Sequence, residues 1–234
     1  MSAQLPLALR YSPDQRFETF VGAPAGAIAL LQAFAERPSA DWLYVAGPAA
    51  VGKTHLALAT CAATEQAGRR AAYLPLAAAA GRLREALEAL EGNDVIALDG
   101  IGSIAGHRDD EVALFDFHNR VRGTGVNVLY VAAAMPDVLA LDLPDLRSRL
   151  SQCARITLAP LDDAGRREVL RLRAQRRGLV LEEAALDWLL KRVDRDLGSL
   201  TALLDQLDRA SLAAQRKVTV PFLREVLGSW PEAL

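Results

Sequence analysis

The chain has 234 residues, of which 51% are hydrophobic and 24% are charged, and its formal net charge is -2 at pH 7. This balance is typical of a globular protein and gives no general attraction to nucleic acid, although local basic patches are not excluded. Cys61 and Cys153 stand far apart, without a C-x-x-C pattern or a nearby histidine pattern, which argues against a disulfide framework or a zinc site. No apolar run approaches the roughly 18 residues that span a bilayer, and the N-terminus lacks a secretion signal. We therefore expect a cytoplasmic protein.

Strand-like and helix-like segments alternate along most of the chain. Predicted strands start at Trp42 and cover residues 71–76, 94–99, 126–134 and 154–160, and the predicted helices between them end at Gly68, Gly92 and Gly123. The strands are apolar throughout rather than alternating, which is typical of a parallel sheet covered on both faces. Residues 16–160 therefore predict an α/β domain with a parallel sheet of about five strands.

No strand-like run follows Pro160. Three or four amphipathic segments are found instead, at residues 162–177, 182–193, 196–215 and 219–228. Apolar residues recur at helical spacing within them, as at Leu200, Leu203 and Leu207. Residues 161–234 therefore predict a small helical domain.

A phosphate-binding loop lies between the first strand and the first helix. Residues 47–54, GPAAVGKT, match G-x-x-x-x-G-K-[ST] in full, in the strand-to-helix setting that the motif requires. Backbone N–H groups of such a loop surround a phosphate, the lysine reaches the β and γ oxygens, and the threonine hydroxyl holds Mg²⁺. The candidate nucleotide-binding residues are Gly47, Pro48, Ala50, Val51, Gly52, Lys53, Thr54 and His55. We expect packing or surface roles, rather than catalytic ones, for His55, His107 and His118.

Asp99 ends an apolar strand 45 residues after Thr54. An acid at the carboxyl edge of such a sheet is well placed to help hold the metal of a bound nucleotide. We therefore predict Thr54 and Asp99 as the Mg²⁺ residues. Gly100 follows Asp99 directly, in the position where a second, water-activating acid is often found.

Several blocks of the sequence together resemble a known family. WLYVAGPAAVGKTHL, VIALDGIGSIAG, LPDLRSRL and LLDQLDRASLAAQRKVTVPFLREVL are similar to the AAA+ module of the bacterial initiator DnaA, and more closely to the short DnaA-related regulators of the Hda family. The resemblance extends from about Gln4 to Leu227. It implies an AAA+ P-loop NTPase core followed by a helical lid, and we expect no helix-turn-helix DNA-binding domain after that lid.

The N-terminal tail, residues 1–15, carries a further resemblance. QLPLAL, residues 4–9, is similar to the peptide by which this family docks on the DNA polymerase III β sliding clamp, although Ala8 stands where the family usually has proline. The amide of Gln4 would hydrogen-bond while Leu5, Leu7 and Leu9 fill apolar pockets. The alternative is a tail that packs on its own domain.

The resemblance also assigns roles to an aromatic segment and an arginine. Phe20 and Val21 match positions that lie against adenine in the family, although a plain core cluster explains them almost as well. Arg149 matches the arginine finger, which enters the nucleotide site of a neighbouring subunit, whereas Arg147 does not. Without the resemblance, Arg149 would be read as a surface arginine at a helix C-terminus.

Three departures from the family pattern affect hydrolysis. Gly100 replaces the second acid, residues 132–134 are alanines where a polar sensor is usual, and Gly198 stands where a lid arginine is usual, one turn from Arg195. These changes spare the groups that hold a diphosphate. They predict a protein that binds ADP, or ATP, with Mg²⁺ and has weak or absent ATPase activity of its own.

The resemblance then implies a regulator of replication initiation. With ADP bound and docked on the DNA-loaded clamp, it would present Arg149 to the ATP held by DnaA, promote hydrolysis there and so prevent re-initiation. DNA would be contacted mainly through the clamp, and a homodimer is left open. The alternatives are an autonomous ATPase of the helicase-loader or clamp-loader type, and a nucleotide-stabilised scaffold with no effect on a partner's hydrolysis.

Overall fold

The sheet at the centre of the N-terminal part confirms the α/β prediction. A computed structural model describes residues 15–39, 41–192, 206, 207, 210 and 218–227. Its strands are β1 (Leu43–Ala46), β2 (Ala71–Pro75), β3 (Val95–Asp99), β4 (Asn127–Ala132) and β5 (Ala154–Thr157). They form one five-stranded sheet in the order β2-β3-β4-β1-β5, and every neighbouring pair is parallel. The predicted strands of 126–134 and 154–160 are shorter at their ends than the sequence indicated.

Helices connect and cover these strands. They are α1 (Ala27–Glu36), α2 (Lys53–Gln66), α3 (Leu83–Glu88), α4 (Arg108–Val121) and α5 (Pro144–Ser151). Short 3-10 turns cover Phe17–Thr19, Leu76–Ala79 and Ile101–Ile104. The helix predicted to end at Gly92 is shorter than expected, since α3 ends at Glu88. The segment of residues 143–150, which contains the predicted arginine finger Arg149, forms most of helix α5.

Helix α2, which follows the phosphate loop, is buried along most of its length. Its alanines and leucines allow close packing on the sheet, where it contacts β2, β3 and β4. Two threonines inside it, Thr60 and Thr64, are fully buried, and each hydroxyl donates to the carbonyl oxygen four residues earlier, at 2.7 and 2.9 Å. Because each hydroxyl has an acceptor, burying these two side chains leaves no polar group without a hydrogen bond. The helix is thus packed closely on the sheet from Leu56 onward.

The strand order fixes what surrounds the phosphate loop. β4 lies between β1 and β3, with Ala132 paired to Ala46 and Val131 paired to Asp99. Since all strands are parallel, their carboxyl ends lie on one edge of the sheet. The loop after β1, the end of β4 and Asp99 therefore stand side by side on that edge.

The C-terminal part contains helices α6 (Asp163–Arg176), α7 (Glu183–Arg192) and α8 (Val220–Leu227). Asp162 caps α6, because its side chain accepts from the Gly165 N–H at 2.7 Å. These helices have their own apolar core, which includes Leu170, Leu186, Leu189, Phe222 and Leu223. Of the helix predicted for 196–215, residues 206, 207 and 210 are described and are helical.

The chain divides into two compact units, Met1–Gly47 with Gly52–Leu158, and Pro48–Val51 with Ala159–Leu234. The domain boundaries predicted from the sequence, 16–160 and 161–234, stay a prediction. Within the described residues, none of the helices is both long and apolar enough to cross a membrane.

Candidate nucleotide-binding site

The phosphate loop has the backbone geometry that its sequence predicts. Gly47 directly follows β1, and Gly52, at φ 92°, lies directly before the first residue of α2, Lys53. Among the described residues, Ala50 is the one non-glycine with positive φ, at 58°. A strained, left-handed residue of this kind is typical of a functional turn. The turn brings the N-terminus of a 14-residue helix, with its outward-facing N–H groups, to the carboxyl edge of the sheet.

The two predicted magnesium residues meet directly. The Thr54 hydroxyl donates to Asp99 Oδ2 at 2.6 Å, across 45 residues of sequence. The structure therefore brings together the hydroxyl and the carboxylate that the sequence singled out separately. This close pair is consistent with a magnesium nucleotide site, because Mg²⁺ takes one or two protein oxygens and fills its remaining positions with waters and phosphates.

Tyr73 is a third member of this group that the sequence analysis missed. Its hydroxyl donates to the same oxygen, Asp99 Oδ2, at 2.9 Å. Tyr73 in β2 pairs with Ala97 in β3, and Asp99, two residues beyond Ala97, lies on the same face of the sheet. A polar residue inside the apolar strand of residues 71–76 was a signal, but only the strand order shows that β2 adjoins β3.

The charges at this site depend on one another. Burial raises the pKa of Tyr73 well above its usual value, and the negative charge of Asp99 raises it further. Tyr73 therefore stays protonated and remains a donor to Asp99. Burial lowers the pKa of Lys53, and the nearby Asp99 opposes that change. A polyphosphate bound at the loop would add negative charge beside Lys53 and favour its charged form.

Phe20 lies against the phosphate loop. A Cβ atom added to Gly52 would stand 2.6 Å from Cε2 of Phe20, so the ring occupies the space that a side chain would need. The Phe20 ring also meets His55 edge-on, with centroids 5.2 Å apart. His55 Nε2 is 2.8 Å from the Arg16 carbonyl oxygen and must donate to it, since a carbonyl only accepts. His55 thus ties the segment that carries Phe20 and Val21 to the start of α2, a structural role beside the loop.

The positions predicted to lack catalytic groups lie next to Asp99. Gly100 is left-handed, at φ 88° and ψ 47°, and its N–H donates to the Val131 oxygen at 2.9 Å. Ala132 ends β4, buried between the phosphate-loop strand and the Asp99 strand, and Ala133 follows it. Neither glycine nor alanine has a side-chain group that can activate water or bind a phosphate. Among the described residues, no cluster of three or more histidines, cysteines and acids forms a metal site.

Arg149 lies toward the opposite edge of the sheet. It is in the last turn of α5, which leads to β5, and the first residue of β5, Ala154, pairs with Leu43 at the start of β1. Cys153 Sγ contacts the Arg149 carbonyl oxygen at 3.8 Å, which holds the helix end close to that strand start. The phosphate loop follows the other end of β1. Arg149 is half-buried, and its charge helps to lower the pKa of the buried His118.

Some predicted residues lie outside the described ranges. They are Gln4, Leu5, Leu7 and Leu9 of the clamp-like peptide, and Arg195 and Gly198 of the lid.

Comparisons with known proteins agree with this geometry. Residues 163–227 match the family model of the Hda lid domain. Domain III of the replication initiation protein DnaA from Thermotoga maritima is similar over 95% of this chain and 99% of its own, with a TM-score of 0.80 and 20% identity. AMPPCP-bound DnaA from Aquifex aeolicus has a TM-score of 0.71 at 18% identity, over 86% of this chain and 67% of its own.

The Holliday junction branch migration motor RuvB from Thermotoga maritima is also similar, with a TM-score of 0.67 at 17% identity, over 92% of this chain and 71% of its own. At these identities, the structural likeness establishes an AAA+ fold. The match of residues 163–227 to the Hda lid domain is the more specific finding, because it points to one family within that fold.

Proposed function

We propose that this chain, whose residues 163–227 match the model of the Hda lid domain and whose fold resembles that of DnaA domain III, is a negative regulator of replication initiation that promotes ATP hydrolysis in the initiator DnaA. In this proposal it acts in the cytoplasm with ADP and Mg²⁺ bound, on the DNA-loaded β sliding clamp. Arg149 enters the nucleotide site of the initiator and stabilises the charge that develops on the γ-phosphate.

The position of Arg149 is the observation that carries the proposal. α5 delivers it toward the amino edge of the sheet, whereas the phosphate loop and Asp99 lie at the carboxyl edge. β1, which separates the two edges, spans four residues, or roughly 13 Å of extended chain. An arginine placed in this way serves a nucleotide held by another molecule better than its own. Such a finger contributes roughly 10³ to 10⁵ in rate in other NTPases.

The nucleotide site supports the other half of the proposal. Lys53, Thr54 and Asp99 supply the charge and the metal oxygens for a diphosphate, with Gly47, Pro48, Ala50, Val51 and Gly52 forming the loop around it. Bound Mg²⁺ would neutralise phosphate charge there. Gly100 and the alanines at 132–134 supply neither an acid nor a polar side chain at the two positions where the family has its second acid and its sensor. The protein accordingly holds ADP as a structural ligand and has little ATPase activity of its own.

Docking on the clamp rests on the sequence of residues 4–9. A glutamine followed by spaced leucines suits a pocketed surface on the β clamp, and the clamp then concentrates the regulator near DNA and the initiator. The initiator, the clamp and a second copy of this chain are thus the partners to be tested.

Reconstitution with purified components tests the proposal. ATP-bound DnaA, clamp loaded on DNA and this protein are mixed, and the conversion of ATP to ADP is followed. We expect hydrolysis only when all three are present and little turnover by this protein alone. A version lacking residues 4–9 should need a much higher concentration. Rapid turnover by this protein alone, abolished in Lys53→Ala, would instead indicate an autonomous ATPase.

The nucleotide carried by the purified protein is a second test. Extraction followed by chromatography should yield ADP. Complex formation with the initiator and no change in its hydrolysis would indicate a scaffold.

A further inference from the structure

The helix that carries Arg149 lacks a cap of its own. The residue before its first turn is Leu143, whose side chain cannot accept a hydrogen bond, and proline occupies the first helical position. In many helices, a glutamate at the third helical position accepts the N–H of the N-cap residue. Here that third position is Leu146, which is buried in the core.

Glu111, from the first turn of α4, provides the missing acceptor. Its Oε2 accepts the N–H of Leu143 at 2.7 Å, and its Oε1 accepts the N–H of Asp142 at 3.0 Å. The carboxylate is fully buried. Its charge also faces the N-terminus of α5, where an anion is favoured by the helix dipole.

The same carboxylate also holds the segment that leads into its own helix, α4. Oε1 of Glu111 also accepts the N–H of Gly106 at 2.9 Å. Gly106 lies in the connection between β3 and α4, which starts at Gly100, directly after the predicted magnesium residue Asp99. One side chain therefore fixes both the segment that follows Asp99 and the start of the helix that carries Arg149.

Arg147 completes the attachment from within α5. Its guanidinium donates to the carbonyl oxygen of Leu141, while Glu111 accepts from the two residues that follow. Consecutive backbone groups of residues 141–143 are thus held by two side chains, one from α4 and one from α5. This gives Arg147 a role in the structure that differs from that of Arg149.

We propose that Glu111 is a positioning residue that sets the place and orientation of α5 and thereby the reach of Arg149. The proposal rests on the function proposed above, because it assigns a role in the same reaction. A displacement of about 1 Å at a catalytic group can lower a rate by as much as 100-fold. A loosened α5 should therefore slow the chemical step more than it weakens the complex.

Asp110 offers a matched control. It is the neighbouring acid in α4 and is also buried, but it accepts from the N–H groups of Gly81 and Leu83, at 2.9 and 3.4 Å, and so serves α3. Glu111→Gln and Asp110→Asn each replace one buried carboxylate by an amide. The two variants share the same chemical change, but Glu111→Gln weakens the contacts to α5 and Asp110→Asn weakens those to α3.

The kinetic experiment measures hydrolysis of initiator-bound ATP against the concentration of wild type and both variants, with loaded clamp present. Glu111→Gln should lower the maximal rate by at least about tenfold, with a half-saturating concentration within about twofold of wild type. Asp110→Asn should keep the maximal rate. Equal losses in the two variants, or a loss confined to the half-saturating concentration, would overturn the proposal.

Hydrogen exchange on the isolated full-length protein tests the positioning without the partner. In wild type, the amides of Asp142 and Leu143 should exchange as slowly as those inside α4. Glu111→Gln should accelerate exchange across residues 141–150 and not across 81–88, and Asp110→Asn should show the reverse.

Fast exchange of both wild-type amides would overturn the role of Glu111 even if a variant fails to fold. Should wild type fail to stimulate the initiator while the exchange pattern holds, the proposed function is wrong and the attachment of α5 by Glu111 stands.

Discussion

Restoring an acid at position 100 tests why this site should hydrolyse ATP poorly. Gly100 lies directly after Asp99 in a left-handed conformation, at φ 88° and ψ 47°. Most side chains are strained there by roughly 1–2 kcal/mol, but aspartate and asparagine tolerate this region better than other residues. Space is not limiting, because an added Cβ would meet the Ser103 hydroxyl at 3.9 Å, an ordinary contact.

From this geometry we expect Gly100→Asp to lower the free energy of unfolding by about 1 kcal/mol. In a chain of this size, that loss corresponds to a fall in melting temperature of about 2–4 °C. Gly100→Asn has the same shape and backbone strain without the carboxylate, so it should lose the same stability. The pair therefore separates the acid from the strain.

The assay is single-turnover hydrolysis of bound ATP with saturating Mg²⁺ and no initiator present. A positioned general base contributes roughly 10² to 10⁴ in rate, and because residues 132–134 still lack a polar sensor, we expect the lower end or less, about tenfold to 100-fold. Gly100→Asn should remain at the wild-type rate. If the two variants hydrolyse ATP equally slowly, the missing second acid is not what limits this site.

Three further predictions concern other groups. Burial and the charges of Arg122 and Arg149 lower the pKa of His118 to about 4. Between about pH 6.5 and pH 4 the imidazole therefore takes up a proton in the unfolded chain but not in the folded one. Through this group, the free energy of unfolding should fall by about 2 kcal/mol from pH 7 to pH 5. Urea unfolding should show this loss reduced in His118→Asn, and an unchanged pH dependence would contradict it. Tyr73→Phe should weaken nucleotide binding about fivefold with Mg²⁺ and leave binding in EDTA unchanged; an equal loss in EDTA would show that Tyr73 does not act through the metal side. Asn127→Leu should destabilise the fold by about 3 kcal/mol in urea, because the Asn127 amide accepts the Ser39 N–H and donates to the carbonyl oxygens of Phe34, in the last turn of α1, and of Arg37, directly after it. A loss below about 1 kcal/mol would contradict this.

The sequence predicted the parts of the site that depend on local pattern. The phosphate loop, its helix and the strand that ends at Asp99 follow from glycine spacing and apolar runs, and Thr54 and Asp99 do meet, at 2.6 Å. Tyr73 and Glu111 could not be found in this way. Their contacts depend on strand order and on the packing of α4 against α5, which are properties of the tertiary fold.

Arg149 shows a different limit. Its position in α5 gives no local signal beyond that of a surface arginine near a helix end, and its predicted role came from resemblance. The strand register adds a physical reason, since the start of β5 pairs with the start of β1, away from the phosphate loop.

The central claim is that this protein acts on a nucleotide bound by its partner, and one substitution tests it most directly. Arg149→Ala is compared with Arg155→Ala, an exposed arginine at the same edge of the sheet, in the assay with ATP-bound DnaA and loaded clamp. The account predicts that Arg149→Ala lowers stimulated hydrolysis by about 10³ or more, down to the unstimulated rate if that is reached first, while ADP binding to the variant stays normal. Arg155→Ala should behave like wild type. Full stimulation by Arg149→Ala would contradict the account.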